Sequence, residues 1–387
     1  MKENLSTFGG KNMKERYVGL SYIKVLLTLY VVMHHAILAY LPGGPGVLVD
    51  DPNNFMLWGL IATYFDNFFM YTFFLIAGLF SYRSIKRRGS MNYVLNRLIK
   101  YGLIFFIGTY MLNTTMLYFK DIVIGTDWWV QYASFETYFS YVQDVNRIFH
   151  PSFHLWFLWL LLVFHIVFAS LYKLSPKLFE KTYDLKSSSK IMGITLLIMT
   201  VGFTFTGIFF GYDFINIFGP FSLQISRIIP YFTIFVLGIL IGKEGINNTF
   251  INPNDEFGQK WKIWFGIGVL ASIFLYFLSQ LVLGWLDIIL LNLSMIAALY
   301  GAISYTIIGL RLNKKIKFFE FLVPLALGIY VVHYGFQGII HGYMLSLNLN
   351  GLIKGIMAFF ITVTMSIFVS YIINYFNRKS KTIQKNV

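Results

Sequence analysis

The sequence predicts an all-α integral membrane protein of about ten transmembrane helices with both termini in the cytoplasm. Three observations carry that expectation. Hydrophobic residues make up 57% of the 387-residue chain and charged residues only 12%, against about 25% charged in a soluble protein. The apolar residues gather into long runs, close to the ~20 residues a helix needs to cross a bilayer. Lys and Arg fall almost entirely on one side of those runs.

The first run, Val18 to Leu41, follows a polar, basic stretch with no small-residue cleavage site, so it reads as a retained span and not a signal peptide. The second, Phe55 to Phe80, runs into the basic segment Arg83 to Lys100, from which the third, Leu98 to Tyr118, departs. The fourth, Leu155 to Leu171, and the fifth, Ile191 to Phe210, flank the basic segment Lys173 to Lys190. The sixth, Ile228 to Ile241, and the seventh, Trp264 to Leu283, flank Lys243 to Lys262. The eighth, Ile288 to Leu310, and the ninth, Phe321 to Ile340, flank Arg311 to Lys317; the tenth, Leu352 to Tyr375, leads into a basic tail. Strands are excluded by length and by the lack of period-two alternation, and in lipid a helix satisfies its own backbone.

With the amino terminus inside, 26 of the 31 Lys and Arg lie in inner segments, and only Lys120, Arg147, Arg227 and Lys354 lie outside. That split supports an even number of spans, a single membrane domain over 1–387 with polar cytoplasmic tails at 1–16 and 377–387, and a place in the cell membrane. The net charge of +14 therefore reads as topology and not as a nucleic-acid footprint. The absence of cysteine removes disulfides, thiolate metal sites and a Cys nucleophile. The outer segment Phe119 to Phe153, with Trp128, Trp129, Tyr132, Phe135, Tyr138, Phe139 and Tyr141, suits the membrane interface, with sugar stacking as the alternative.

Ionisable side chains inside a span should face the protein interior or a wet cavity. Here they are Lys24, His34 and His35 in the first run, Asp66 in the second, His165 in the fourth and His333 in the ninth. Lys24 and His35 are 11 residues apart, three turns plus about 20°, so they share one helix face roughly 16 Å apart. One stripe thus carries a cation toward the inside and a proton acceptor toward the outside, and an imidazole suits general-base work on a hydroxyl. His34 lies about 100° away and reads as a packing or interfacial residue. His150 and His154 have the four-residue spacing of a metal-ligand pair, but Pro151 between them and the lack of a third ligand nearby argue against a metal site.

These motifs together resemble the acyltransferase 3 family, integral membrane O-acyltransferases acting on surface and periplasmic glycans. Lys24 through His34-His35-Ala36 is similar to the family's Arg, ten residues, His signature, with His35 at the His position. Phe73-Phe74-Leu75-Ile76-Ala77-Gly78-Leu79-Phe80 is similar to Phe-Phe-x-x-Ser-Gly-Phe, and Arg97-Leu98-Ile99-Lys100 to Arg-x-x-Arg. Leu155-Trp156-Phe157-Leu158 and Tyr330-Val331-Val332-His333 match two further motifs, and Gly238 and Gly242 mark the sixth run. The His35-Ala36, Trp156-Phe157-Leu158 and Tyr330-x-x-His333 segments resemble most the glucan-succinylating branch. Four departures matter: Lys24 and Lys100 stand for Arg, Ala77 removes a serine nucleophile, and Tyr40 stands where many members have a carboxylate after the His.

The resemblance implies transfer of an acetyl- or succinyl-class acyl group from cytoplasmic acyl-CoA, a donor substrate and not a resident cofactor, to an extracytoplasmic glycan or lipid-linked sugar. In this reading Lys24, Arg97, Lys100, Trp156 and Tyr330 bind substrate, with Arg83, Lys86, Arg87 and Arg88 adding positive charge at the inner face. His35 is the base, Asp66 its orienting partner with Asp50 or Asp51 behind it, and His333 a second polar wall. The alternative is an exporter of an extracellular polysaccharide whose pathway uses the same polar stripe; an enzyme-derived scaffold without activity is a third reading.

Overall fold

The structure, a computed structural model, describes residues 17–42, 49–124, 152–218, 220–281 and 286–383. Among them ten long helices follow in order: α1 Val18–Leu38, α2 Leu57–Arg88, α3 Ser90–Ile124, α4 Phe153–Leu174, α5 Ser188–Phe210, α6 Ile225–Glu244, α7 Trp261–Ser279, α8 Leu286–Arg311, α9 Ala326–Leu345 and α10 Gly351–Ile383. The chain is an all-α membrane protein. Nine of the ten are apolar and long enough to span a membrane, and α9 is the exception. Its hydropathy is diluted by His333, Gln337 and His341, all buried, so the least apolar helix carries polar groups inward.

Helix ends depart from the apolar runs where polar residues continue the helix into water. α2 runs past Phe80 to Arg88, where Lys86, Arg87 and Arg88 suit the negative end of the helix dipole and Gly89, at φ 75°, turns the chain. α10 continues to Ile383, so most of the expected 377–387 tail is helical. The aromatic segment around Trp128 to Tyr141, with Arg147, His150 and Pro151, and the 1–16 tail lie outside the described residues.

Small residues set the closest helix approach. A Cβ on Gly78 of α2 would lie 2.1 Å from the Phe235 carbonyl oxygen of α6, and one on Gly242 would lie 2.1 Å from that of Leu79. Glycines four apart let helix backbones touch in lipid, where close packing replaces the hydrophobic drive. Phe74 fills the adjoining core against Phe157, Phe164 and Tyr231, at ring distances of 4.9, 5.2 and 4.8 Å.

Two local features lie outside the all-helix expectation. α3 holds two π-helical stretches, Leu98–Leu103 and Gly108–Asn113, a rare conformation that is frequent at functional sites. An antiparallel hairpin, β1 Phe214–Phe218 and β2 Phe221–Gln224, joins α5 to α6. It rests on the start of α4, with Phe214 edge-on to Trp156 at 5.7 Å and Phe221 edge-on to Trp159 at 5.3 Å.

The end of the bundle opposite the Lys- and Arg-rich segments is latched by a buried ion pair. Lys354 Nζ at the start of α10 lies 2.7 Å from Asp51 Oδ2, with side-chain exposures of 0% and 1%. Asp51 N–H donates to the Ala39 carbonyl, Trp58 Nε1–H to the Gly351 carbonyl, and Tyr40 Oη lies 2.9 Å from His341 Nδ1. Together these join α1, α2, α9 and α10.

Candidate active site

The inner half of the shared α1 face opens into a cavity of about 390 Å³. Lys24 and Thr28 line it from α1, Ala77 and Phe80 from α2, Arg97, Lys100 and Tyr101 from α3, Phe157, Leu158 and His165 from α4, and Tyr330 from α9. The sequence therefore named four of its polar walls: Lys24, Arg97, Lys100 and Tyr330. None of the three cations is paired with a carboxylate among the described residues. Such a cluster, held against its own repulsion, is a site for an anion with several charges.

The cations are braced by aromatic rings. Arg97 lies over the Tyr93 and Tyr101 rings at 5.1 and 5.8 Å, Lys100 over Tyr101 at 5.2 Å, and Lys24 over Phe80 at 5.9 Å. Tyr101 stacks on His165 at 5.8 Å, and Tyr93 Oη lies 2.6 Å from His165 Nδ1. Lys100 and Tyr101 belong to the first π-helical stretch of α3. His165 is thus the buried support on which the Arg97 wall is built.

Beyond Tyr330, three histidines meet. His35 Nδ1 lies 2.9 Å from His333 Nε2, their rings stacked at 5.2 Å, and the His154 ring lies 4.7 Å from His333 and 6.2 Å from His35. Elementary donor logic fixes the tautomers when the rings are neutral. His333 Nδ1 faces the carbonyl oxygens of Tyr330 at 2.7 Å and Ile329 at 3.2 Å, which only accept, so Nδ1 carries the proton. His333 Nε2 is then an acceptor, His35 donates to it from Nδ1, and His35 Nε2 keeps its lone pair. That is the tautomer a general base needs, set by a histidine in the role a carboxylate fills elsewhere.

His154 follows the same rule. Its Nε2–H donates to the Val331 carbonyl at 3.1 Å, leaving Nδ1 as a buried acceptor without a partner among the described residues. Phe153 just before it has φ 40°, a rare conformation for an aromatic residue, at the turn that opens α4. Tyr334 walls the cluster, its ring 5.1 Å from His35 and 5.0 Å from His154. The Tyr330 hydroxyl donates to the His154 carbonyl, so its proton is already engaged and not free for an oxyanion.

Three of the expected residues stand elsewhere. Asp66 does not meet His35: its carboxylate pairs with Arg227 of α6, whose Nη1 also reaches Tyr231 Oη at 3.5 Å. The orienting partner of His35 is His333, and Asp51, expected behind Asp66, is taken by Lys354. Trp156 lies off the cavity, stacked on Tyr231 at 5.7 Å, while the next two residues of its motif, Phe157 and Leu158, line the cavity. From sequence, His165 has no assigned role, His154 is only half of a metal-ligand spacing and Arg227 is only an outer-side charge. The one signal that bore on His154 was its position directly before the Leu-Trp-Phe-Leu motif.

No group of three His, Asp or Glu among the described residues is arranged to hold a metal ion. The arrangement offers a cation-lined cavity ending at Tyr330 and, directly beyond it, His35 with its Nδ1 donating to His333 and its Nε2 left as an acceptor. A family model described as an acyltransferase domain matches residues 17–375, from the first residues described into the later turns of α10. Neither a curated protein nor a solved structure matches the chain.

Proposed function

Because the chain belongs to the acyltransferase 3 family, we propose that it transfers a short acyl group, of the acetyl or succinyl class, from cytoplasmic acyl-CoA to a hydroxyl of an extracytoplasmic glycan or lipid-linked sugar. One observation carries this reading. Tyr330 is both the end wall of the cation-lined cavity and the residue whose carbonyl holds His333, and so His35, in register. A donor anchored through its phosphates on Lys24, Arg97 and Lys100 would extend its pantetheine arm along α1 and present the thioester to His35. The roughly 16 Å between Lys24 and His35 along α1 suits a donor with widely separated phosphates and thioester.

The chemistry is direct transfer. The acceptor hydroxyl gives its proton to His35 Nε2 while its oxygen attacks the thioester carbonyl. His333 accepts from His35 Nδ1 and holds the imidazolium in place as it forms. The tetrahedral intermediate then expels the CoA thiolate, which takes the proton from His35 and leaves as the thiol, so ester and free CoA are the products. Ala77, at the cavity wall in place of serine, offers no hydroxyl for a covalent acyl-enzyme. The lipid bilayer is the protein's solvent, and a cytoplasmic donor with an extracytoplasmic acceptor would put that bilayer at the cell membrane.

The test is incubation of the purified protein in nanodiscs with radiolabelled acetyl-CoA and succinyl-CoA and a panel of glycans. The reading requires His35-dependent labelling of a glycan. Thioester consumption and glycan labelling that are equal in wild type and His35→Ala would refute it.

A further inference from the structure

The family's base and donor cavity leave unused a second polar cluster on the opposite half of the membrane. Asp66 lies nine residues into α2 from Leu57, about 14 Å along the helix, yet its side chain keeps 42% of its surface open. A carboxylate at that depth is not left facing lipid, so the open side faces water or a ligand. Arg227, itself 14% exposed, is paired with it, and Arg227 Nε is buried without a partner among the described residues. Among the same residues His34 Nδ1 is likewise buried without a partner, and its ring is 5.3 Å from that of His35. Both charges of the Asp66–Arg227 pair lie within electrostatic reach of His34.

Two hydroxyl-bearing rings lie on the same helices, Tyr64 two residues before Asp66 on α2 and Tyr30 four residues before His34 on α1. Tyr64 Oη lies 3.1 Å from Tyr305 Oη, which donates to Tyr30 Oη at 3.5 Å, with Tyr30 and Tyr64 half-buried. On the other flank Trp156, also half-buried, stacks on Tyr231, which in turn meets Arg227. Trp156 is two residues from His154, whose ring is 6.2 Å from His35. The cluster thus reaches the histidines through His34, and none of its residues lines the cation-lined cavity.

We infer that Tyr30, His34, Tyr64, Asp66, Arg227 and Trp156 form a pyranose-binding subsite that holds the acceptor sugar against His35. The chemistry matches a sugar ring. A carboxylate accepts from vicinal hydroxyls, a guanidinium and tyrosine hydroxyls donate to ring and hydroxyl oxygens, and an indole packs on the apolar face of the ring. The inference rests on the acyl-transfer reading for its biological use, but binding of the sugar does not need the transfer to occur.

The test is equilibrium dialysis of tritiated cellotetraose, maltotetraose and chitotetraose against the full chain in nanodiscs, without acyl-CoA, with empty nanodiscs as background. Wild type should bind at least one of the three saturably. Trp156→Leu and Tyr64→Phe should weaken that binding at least tenfold, whereas Lys24→Ala, in the other cavity, should leave it unchanged. Tyr64→Phe removes one oxygen and keeps the ring, so its effect is not one of misfolding. Absence of saturable binding to all three, or equal binding by wild type, Trp156→Leu and Tyr64→Phe, overturns the inference. Binding that depends on Trp156 in a protein that transfers no acyl group would keep this subsite and remove the transfer reading.

Discussion

His35 donates from Nδ1 to Nε2 of His333 across 2.9 Å, and His333 in turn donates to the Tyr330 carbonyl at 2.7 Å. The two histidines are 298 residues apart in the chain, yet they act as one unit, because the proton on the second decides which nitrogen of the first is free. The acceptor for His35 is therefore neutral and built into α9, where a carboxylate following the histidine in α1 would have been the simpler arrangement.

Removing the base should cost about 10²- to 10⁴-fold in kcat, so His35→Ala should show that loss with little change in KM for acyl-CoA. His333→Leu should lower kcat in the same direction, because His35 Nδ1–H loses its acceptor and the ring its orientation. His333→Asn, whose amide oxygen can still accept, should retain more activity than His333→Leu. Steady-state kinetics on the three variants checks the order.

The cations of the inner cavity should act on donor binding. Hydrogen bonds to charged groups contribute about 1.5–3 kcal/mol, so Arg97→Ala and Lys100→Ala should each raise KM for acyl-CoA about tenfold or more while kcat changes less. Raising the ionic strength should weaken donor binding in wild type and less so in the variants. Titration of acyl-CoA at two salt concentrations measures both.

The Asp51–Lys354 latch should matter for stability and not for chemistry. Leaving one charge buried alone costs about 3–5 kcal/mol, so Lys354→Met should lower Tm markedly. The double variant Asp51→Leu with Lys354→Met should regain most of the loss, since neither charge is then stranded. Thermal unfolding in detergent, read on all three proteins, distinguishes the two outcomes.

The α2–α6 seam should reject even one methyl group. Gly78→Ala would place a Cβ 2.1 Å from the Phe235 carbonyl oxygen, and forced overpacking costs about 1–3 kcal/mol. Because Ala77 lines the donor cavity next to this seam, the displaced helix should also raise KM for acyl-CoA. Gly193→Ala, with nothing within 4 Å of the added atom, is the matched control and should behave as wild type.

Much of this was legible in the sequence, for definite reasons. Apolar run length and the placement of Lys and Arg declare helices and sides, and 3.6-residue periodicity alone put Lys24 and His35 on one face. Motif positions led to Arg97, Lys100 and Tyr330 at the cavity. What the sequence hid were partnerships between helices. Asp66 could be seen as a charge needing a partner, but whether that partner was His35 or Arg227 depends on how α1, α2 and α6 pack. His154 is, in the sequence, only half of a metal-ligand spacing interrupted by Pro151, and only the turn at Phe153 and the approach of α9 bury it beside His333. The hairpin Phe214 to Gln224 is too short for its pattern to stand out between two apolar runs.

In the proposed reaction donor and acceptor meet at His35 from opposite sides of the membrane. The most direct test is acyl transfer in sealed vesicles of both orientations, with radiolabelled acyl-CoA supplied outside and glycan acceptor enclosed or external. Wild type should label the acceptor only when acyl-CoA faces the Lys- and Arg-rich side and the glycan the other. His35→Ala should abolish that labelling, and Lys24→Ala should weaken it at limiting donor. Labelling with donor and acceptor on the same side, or labelling that survives His35→Ala while glycan movement across the membrane fails, would contradict the account.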